Sequence, residues 1–114
     1  MAGRPRIEVL WWEGCPSTPE AIEDLRAALD EHGLDPEAIE VREIHTDADA
    51  ERERFVGSPT IRVDGADVAE PDEREPVALA CRVYHRRDGR ISPTPDPADV
   101  RAAIAAAIDR RTRP

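Results

Sequence analysis

The stretch Ile7-Glu8-Val9-Leu10-Trp11-Trp12 begins polar on one face and becomes apolar on both, and it constrains the chain more than any other feature. A strand covered on both faces lies inside a sheet. It stops at Glu13-Gly14-Cys15-Pro16, after which Ser17-Thr18-Pro19-Glu20 reads as a helix start, with a hydroxyl cap, a proline in the first turn and a carboxylate near the positive end. Ile22, Leu25 and Leu29, with Ala21 and Ala28 beside them, form the apolar stripe of a helix from about Thr18 to His32, and His32-Gly33 is its stop. Beyond Asp35-Pro36, Ile39, Val41 and Ile44 mark a second strand that is polar on one face, as an edge strand is. Strand, helix and strand in this order make a crossover, so the first two strands run parallel.

The rest of the chain completes one domain. Asp47 is placed to cap a short charged helix through Arg54, and Gly57-Ser58-Pro59 leads into a strand over Thr60–Val63 that ends at the turn dipeptide Asp64-Gly65. From Ala66 to Pro76 the chain is acidic, holds two prolines and shows no period, which predicts an exposed loop. Leu79, Cys81 and Val83 alternate with Ala80, Arg82 and Tyr84, predicting a further strand with Cys81 on its apolar, inward face before the Asp88-Gly89 turn. Asp96 caps and Pro97 opens a final helix with Val100, Ile104 and Ile108 as its stripe, and Arg110, Arg111 and Arg113 suit its negative end. The expected fold is α/β, in the order β-α-β-α-β-β-α, with one four-stranded mixed sheet flanked by helices in a single domain over residues 1–114.

Charge narrows the partners. Twenty-five acidic residues against sixteen basic ones give a net charge of −9, which argues against nucleic acid and anionic membranes as partners. All the basic residues are arginine. The longest aliphatic run, Ala102 to Ile108, is far short of a membrane span, and the opening MAGRPR has no apolar stretch behind its basic residues, so a cytoplasmic protein is expected. In such a compartment two cysteines do not make a disulfide framework. No nucleotide-binding, serine-hydrolase or zinc-protease motif occurs, and neither His45 nor His85 has metal-ligand spacing to a cysteine, so neither a metal nor a cofactor is expected.

Two local sequences carry a resemblance. Cys15-Pro16-Ser17-Thr18 heads the first helix, and Gly57-Ser58-Pro59-Thr60 opens the third strand. Together with the element order they resemble the thioredoxin-like superfamily, in which a C-x-x-C or C-x-x-S/T motif heads the first helix and a cis-proline faces it. The assembly of WWEGCP, GSPTIRVDG and a late ACRVY is similar, over nearly the whole chain, to short bacterial thioredoxin-like proteins labelled DF family (seleno)proteins, some of which carry an alkylmercury lyase label. The resemblance implies a cis bond before Pro59. Thr18 stands where the dithiol motif has its second cysteine, so the motif itself lacks a resolving thiol.

Cys15 also has a physical case of its own. A thiol in the first turn of a helix lies near unpaired N–H groups that stabilise a thiolate. Thr18 is placed to donate its hydroxyl to that sulfur, whereas Glu13 and Glu20 oppose the thiolate. A cis bond would leave the Ser58 backbone free to pair with an extended thiol substrate, with Pro59 shaping the groove. Trp11 and Trp12 fall on opposite faces, one in the core and the other, Trp12, lining a pocket beside Cys15. Arg82, Arg86, Arg87 and Arg90 offer a place for an anion or a solvated basic face. In a four-stranded sheet of this kind the strand bearing Cys81 lies two places from the first, about 10 Å away, so Cys15 and Cys81 do not meet unless the Ala66–Pro76 segment carries Cys81 across the active end.

The expected function is that of a monothiol thioredoxin-like redox protein, with Cys15, Thr18 and Pro59 as catalytic residues and Ser58 and Trp12 against substrate. Its partner would be a small thiol or a protein thiol or disulfide. The alternatives are organomercurial or heavy-metal thiol chemistry, with Cys81 as a second thiol, and a non-catalytic interaction module of the same fold.

Overall fold

A computed structural model of the chain describes residues 4–112, the side chain at 112 excepted. Arg113 lies outside the described residues. The first strand, β1 (Ile7–Trp11), is interior as its two apolar faces require, with β2 (Glu40–Glu43) parallel on one side and β3 (Thr60–Val63) antiparallel on the other. Val9 is the centre of the register, opposite Val41 and Ile61. β2 is an edge strand, as its polar face predicts.

The fourth strand differs from expectation. β4 is the two-residue Ala66–Asp67, which pairs antiparallel with β3 directly across the Asp64-Gly65 turn, so the sheet order is β2-β1-β3-β4. Both turn residues have positive φ, 53° at Asp64 and 83° at Gly65, the combination a two-residue hairpin needs. The segment predicted as a loop therefore supplies the strand, and the segment predicted as the strand leaves the sheet. Tyr84–His85 (β5) pairs instead with Ile91–Ser92 (β6) in a separate hairpin.

Three helices flank the sheet: α1 (Thr18–Glu31), α2 (Asp47–Glu53) and α3 (Pro97–Thr112). α1 and α3 cover one face, where Leu25, Leu29, Val100, Ile104 and Ala107 bury Ile7, Val9, Ile61 and Val63. The other face has two halves. Toward the end of β1, Leu10 packs with Ile44, Ala50 and Phe55. Toward its start, the buried Glu8 carboxylate accepts from Arg42 at 2.6 Å, and Arg42 and Arg62 both reach Glu53 on α2. Charged residues thus occupy part of a sheet face because the Glu8 and Glu53 carboxylates are paired with guanidinium groups, although the buried Arg42 Nε finds no partner.

Two caps differ from the sequence reading. Thr46, not Asp47, caps α2 by accepting from the Asp49 N–H at 3.1 Å. Ser17 sits at the N-cap of α1 in a helical conformation and makes no side-chain cap bond. Asp96 caps α3 as predicted, accepting from the Ala98 N–H at 2.9 Å.

Candidate functional site

The turn that joins β1 to α1 holds Cys15 at the carboxyl end of the central strand. The Cys15 N–H closes it by donating to the Trp12 carbonyl at 3.1 Å. The Trp12 indole lies over Gly14, so closely that a Cβ there would displace the ring. Cys15 is 5% exposed, and its Sγ donates to the Ser58 carbonyl at 3.3 Å.

Ser58 organises the site. It is fully buried and precedes Pro59 through a cis peptide bond, the geometry the resemblance implies. Its Oγ accepts from the Trp12 N–H at 3.0 Å and pairs with the Thr18 hydroxyl at 3.4 Å. Thr18 therefore acts on the site through Ser58, whereas the sequence reading directed its hydroxyl to the Cys15 sulfur. The Ser58 backbone is not free for a substrate. Its N–H donates to the Ala80 carbonyl at 2.8 Å and its carbonyl accepts from the Arg82 N–H at 2.9 Å. The chain itself fills the place assigned to an extended ligand.

That pairing brings the second thiol in. Cys81 forms a parallel bridge with Ser58, and the Ala78 N–H donates to the Phe55 carbonyl at 3.0 Å, so residues 78–82 run alongside 55–58. Cys81 is thereby set beside Cys15, and its interaction with the Cys15 thiol, followed by burial and the Cys15 charge, raises the Cys81 pKa above its ordinary value. The strand-spacing argument that kept the two sulfurs apart fails because Cys81 is not in the sheet. The acidic segment after β4 carries it across the carboxyl end of β1.

The predicted inward face is also reversed. Cys81 is exposed and Val83 is 60% exposed, while Arg82 and Tyr84 are buried. The polar ends of those two side chains find partners inside. Arg82 donates to Asp67 at 2.6 Å, to the Ala69 carbonyl and to Thr60 Oγ1, and its guanidinium lies 4.5 Å from the centre of the Tyr84 ring. Tyr84 donates its hydroxyl to the Pro59 carbonyl, and burial pushes its phenol well above the usual range. Gly57, at φ 148°, lets the Arg82 backbone approach so closely that a Cβ would stand 2.9 Å from the Arg82 Cα. Arg82, Asp67, Tyr84 and Gly57 are the positioning residues the sequence reading missed. The one available signal was an arginine and a tyrosine alternating with apolar residues, which has two possible phases.

The remaining candidates are Trp12 and the arginines. Trp12 packs on the Leu10–Phe55 cluster with Val77 and Leu79. The four arginines do not gather around an anion. Arg82 pairs with Asp67, Arg87 with Asp99 and Arg90 with Asp88, while Arg86 donates to Ser92 and Thr94. Among the described residues no group of three or more His, Cys, Asp or Glu side chains is placed to hold a metal ion, and no helix is long and apolar enough to cross a membrane. Compared with family models, with curated proteins and with solved structures, the chain matches none.

Proposed function

We propose that this is a thiol–disulfide redox protein whose working unit is the Cys15–Cys81 pair. The observation that carries this reading is that Ser58 engages both cysteines, its carbonyl accepting from Cys15 Sγ at 3.3 Å and its backbone forming a parallel bridge with Cys81. A single thiol at a helix N-terminus forms mixed disulfides but has no internal means of release. A second thiol on the segment bridged to Ser58 supplies it. The sheet order β2-β1-β3-β4, with the cis-Pro59 loop facing the Cys15 turn, supports a thioredoxin-like fold for this chemistry. The resolving thiol comes from a distant segment and not from the C-P-S-T motif.

The test is equilibration of the reduced protein in glutathione buffers of graded ratio, with acid quench, alkylation and intact mass. The expected outcome is a cooperative loss of both alkylation sites from the monomer as the buffer becomes oxidising. Two thiols that stay alkylatable in glutathione disulfide alone would refute the reading.

The same convergence favours a second reading, capture of a soft thiophilic cation such as mercury(II), which prefers paired thiolates. Mercury(II) titration would then give one equivalent bound in the wild type, with affinity collapsing in either single-cysteine variant.

A further inference from the structure

The two sulfurs differ in access. Cys15 is buried under the 78–82 segment, and Cys81 is exposed on that segment. The Ser58 backbone groups beside Cys15 are consumed by Ala80 and Arg82. A buried ion pair, Arg82 with Asp67, 7% and 9% exposed, holds the segment down. An extended polypeptide cannot pair with the Ser58 backbone as it stands, and a solute reaching the pair meets Cys81 first.

We propose that Cys81 is the sulfur through which the pair exchanges with solution, that Cys15 is its internal partner, and that the reactants are low-molecular-weight thiols and disulfides rather than extended polypeptides. This rests on the dithiol reading above. In the oxidising direction Cys81 gives its proton to water and its thiolate attacks one sulfur of a small disulfide RSSR. The Cys81–SR bond forms as the RS–SR bond breaks, and RS⁻ leaves and takes up a proton. Cys15 then loses its proton and attacks the Cys81 sulfur. The Cys15–Cys81 bond forms, the Cys81–SR bond breaks, and the second RS⁻ leaves and is protonated. Two protein thiols have lost two electrons, RSSR has become two RSH, and the protons balance. In the reducing direction a small thiol RSH loses its proton and its thiolate attacks the exposed Cys81 sulfur. The Cys81–SR bond forms as the Cys15–Cys81 bond breaks, and the departing Cys15 thiolate takes up a proton and again donates to the Ser58 carbonyl. A second thiolate RS⁻ then attacks the outer sulfur, RSSR leaves and Cys81 is protonated.

The experiment uses the full chain as Cys15→Ala and Cys81→Ala, each left with one thiol, and glutathione disulfide as the probe. Cys81 in the first variant is expected to form the mixed disulfide at the rate of an exposed thiol. Cys15 in the second is expected to react at least about tenfold more slowly in the folded protein, with the gap closing in denaturant. Equal folded-state rates would overturn the assignment. Because Cys81→Ala could open the site, the wild type is also pulsed with substoichiometric iodoacetamide and the label located. Label on Cys81 supports the proposal and label on Cys15 overturns it. For the reactant class, an extended cysteine peptide and glutathione are compared as the same activated thionitrobenzoate disulfides. The peptide is expected to oxidise the wild type more slowly, and an equal or faster peptide overturns that part. If the glutathione adduct forms on Cys81 of the wild type and persists without a Cys15–Cys81 bond, the dithiol reading has failed while the assignment of the exchange sulfur stands.

Discussion

At the scale of single residues, the proposed dithiol exchange turns on the proton of Cys81. Its pKa is raised, with its interaction with the Cys15 thiol as the largest cause. A raised thiol pKa depletes the nucleophilic form at neutral pH, so the alkylation rate of Cys81 should climb with pH beyond about 8.5, the ordinary thiol midpoint, before levelling. Cys15→Ala removes the first cause. The midpoint in that variant is expected to move down toward about 8.5, and a midpoint that does not move in a pH series of iodoacetamide rates would show that Cys15 is not what holds the proton. Ser58 explains why the two thiols are paired at all. One buried residue spends its carbonyl on Cys15 and Arg82, its N–H on Ala80, and its hydroxyl on Trp12 and Thr18.

At the scale of elements, the decisive feature is a segment without regular structure. Residues 78–82 are fixed by three backbone hydrogen bonds to 55–58 and by the Arg82 anchor, and they can lie that close only because residue 57 has no Cβ. Gly57→Ala forces backbone against backbone at a positive φ, and should cost about 1–3 kcal/mol in urea unfolding. It should also slow closure of the Cys15–Cys81 bond after the first mixed disulfide. A variant as stable and as fast as wild type would separate the segment's position from the chemistry. The elements with a long period were legible in the sequence: β1 as a central strand, α1 within a residue of its end, β2 as an edge and α3 with its Asp96 cap. β4 was not, because two residues carry no period and its identity comes from the turn that folds it onto β3. Cys15 and Pro59 were legible from their place at element ends. Cys81 was legible only as a thiol, since its alternation with Leu79 and Val83 gave the wrong inward face. The phase is set by Arg82 and Tyr84, whose inward positions depend on Asp67, Ala69 and Pro59, partners distant in sequence.

At the scale of the whole molecule, the far end of the domain is tied by charge. The Asp64 carboxylate, on the β3–β4 turn, accepts from both guanidinium nitrogens of Arg111 near the end of α3, and from the Arg6 N–H at 2.8 Å before β1. These bonds, that to Arg111 foremost, hold its pKa below the usual carboxylate range. A carboxylate lowered in the folded state stabilises above its unfolded value, and that contribution is lost as pH falls below about 4 through the folded value. Asp64→Asn keeps a residue that tolerates the positive φ and removes only the charge. The variant should lose about 1 kcal/mol at pH 7, and the difference should shrink in acid below pH about 4. A gap in urea midpoints that is constant with pH would assign the effect to something other than the ion pair. This anchor stands at the opposite end of β1 from the thiols, so its loss should leave the rate of disulfide closure unchanged. The placement of the aromatic residues has an optical consequence. Trp11 and Trp12 are the only indoles in the chain, and both sit at the carboxyl end of β1, with the Trp12 ring lying over Gly14 next to Cys15. The intrinsic emission of the molecule therefore originates beside Cys15, where a disulfide quenches an excited indole more strongly than a thiol does, so the oxidation proposed for the Cys15–Cys81 pair would register as a fall in tryptophan fluorescence.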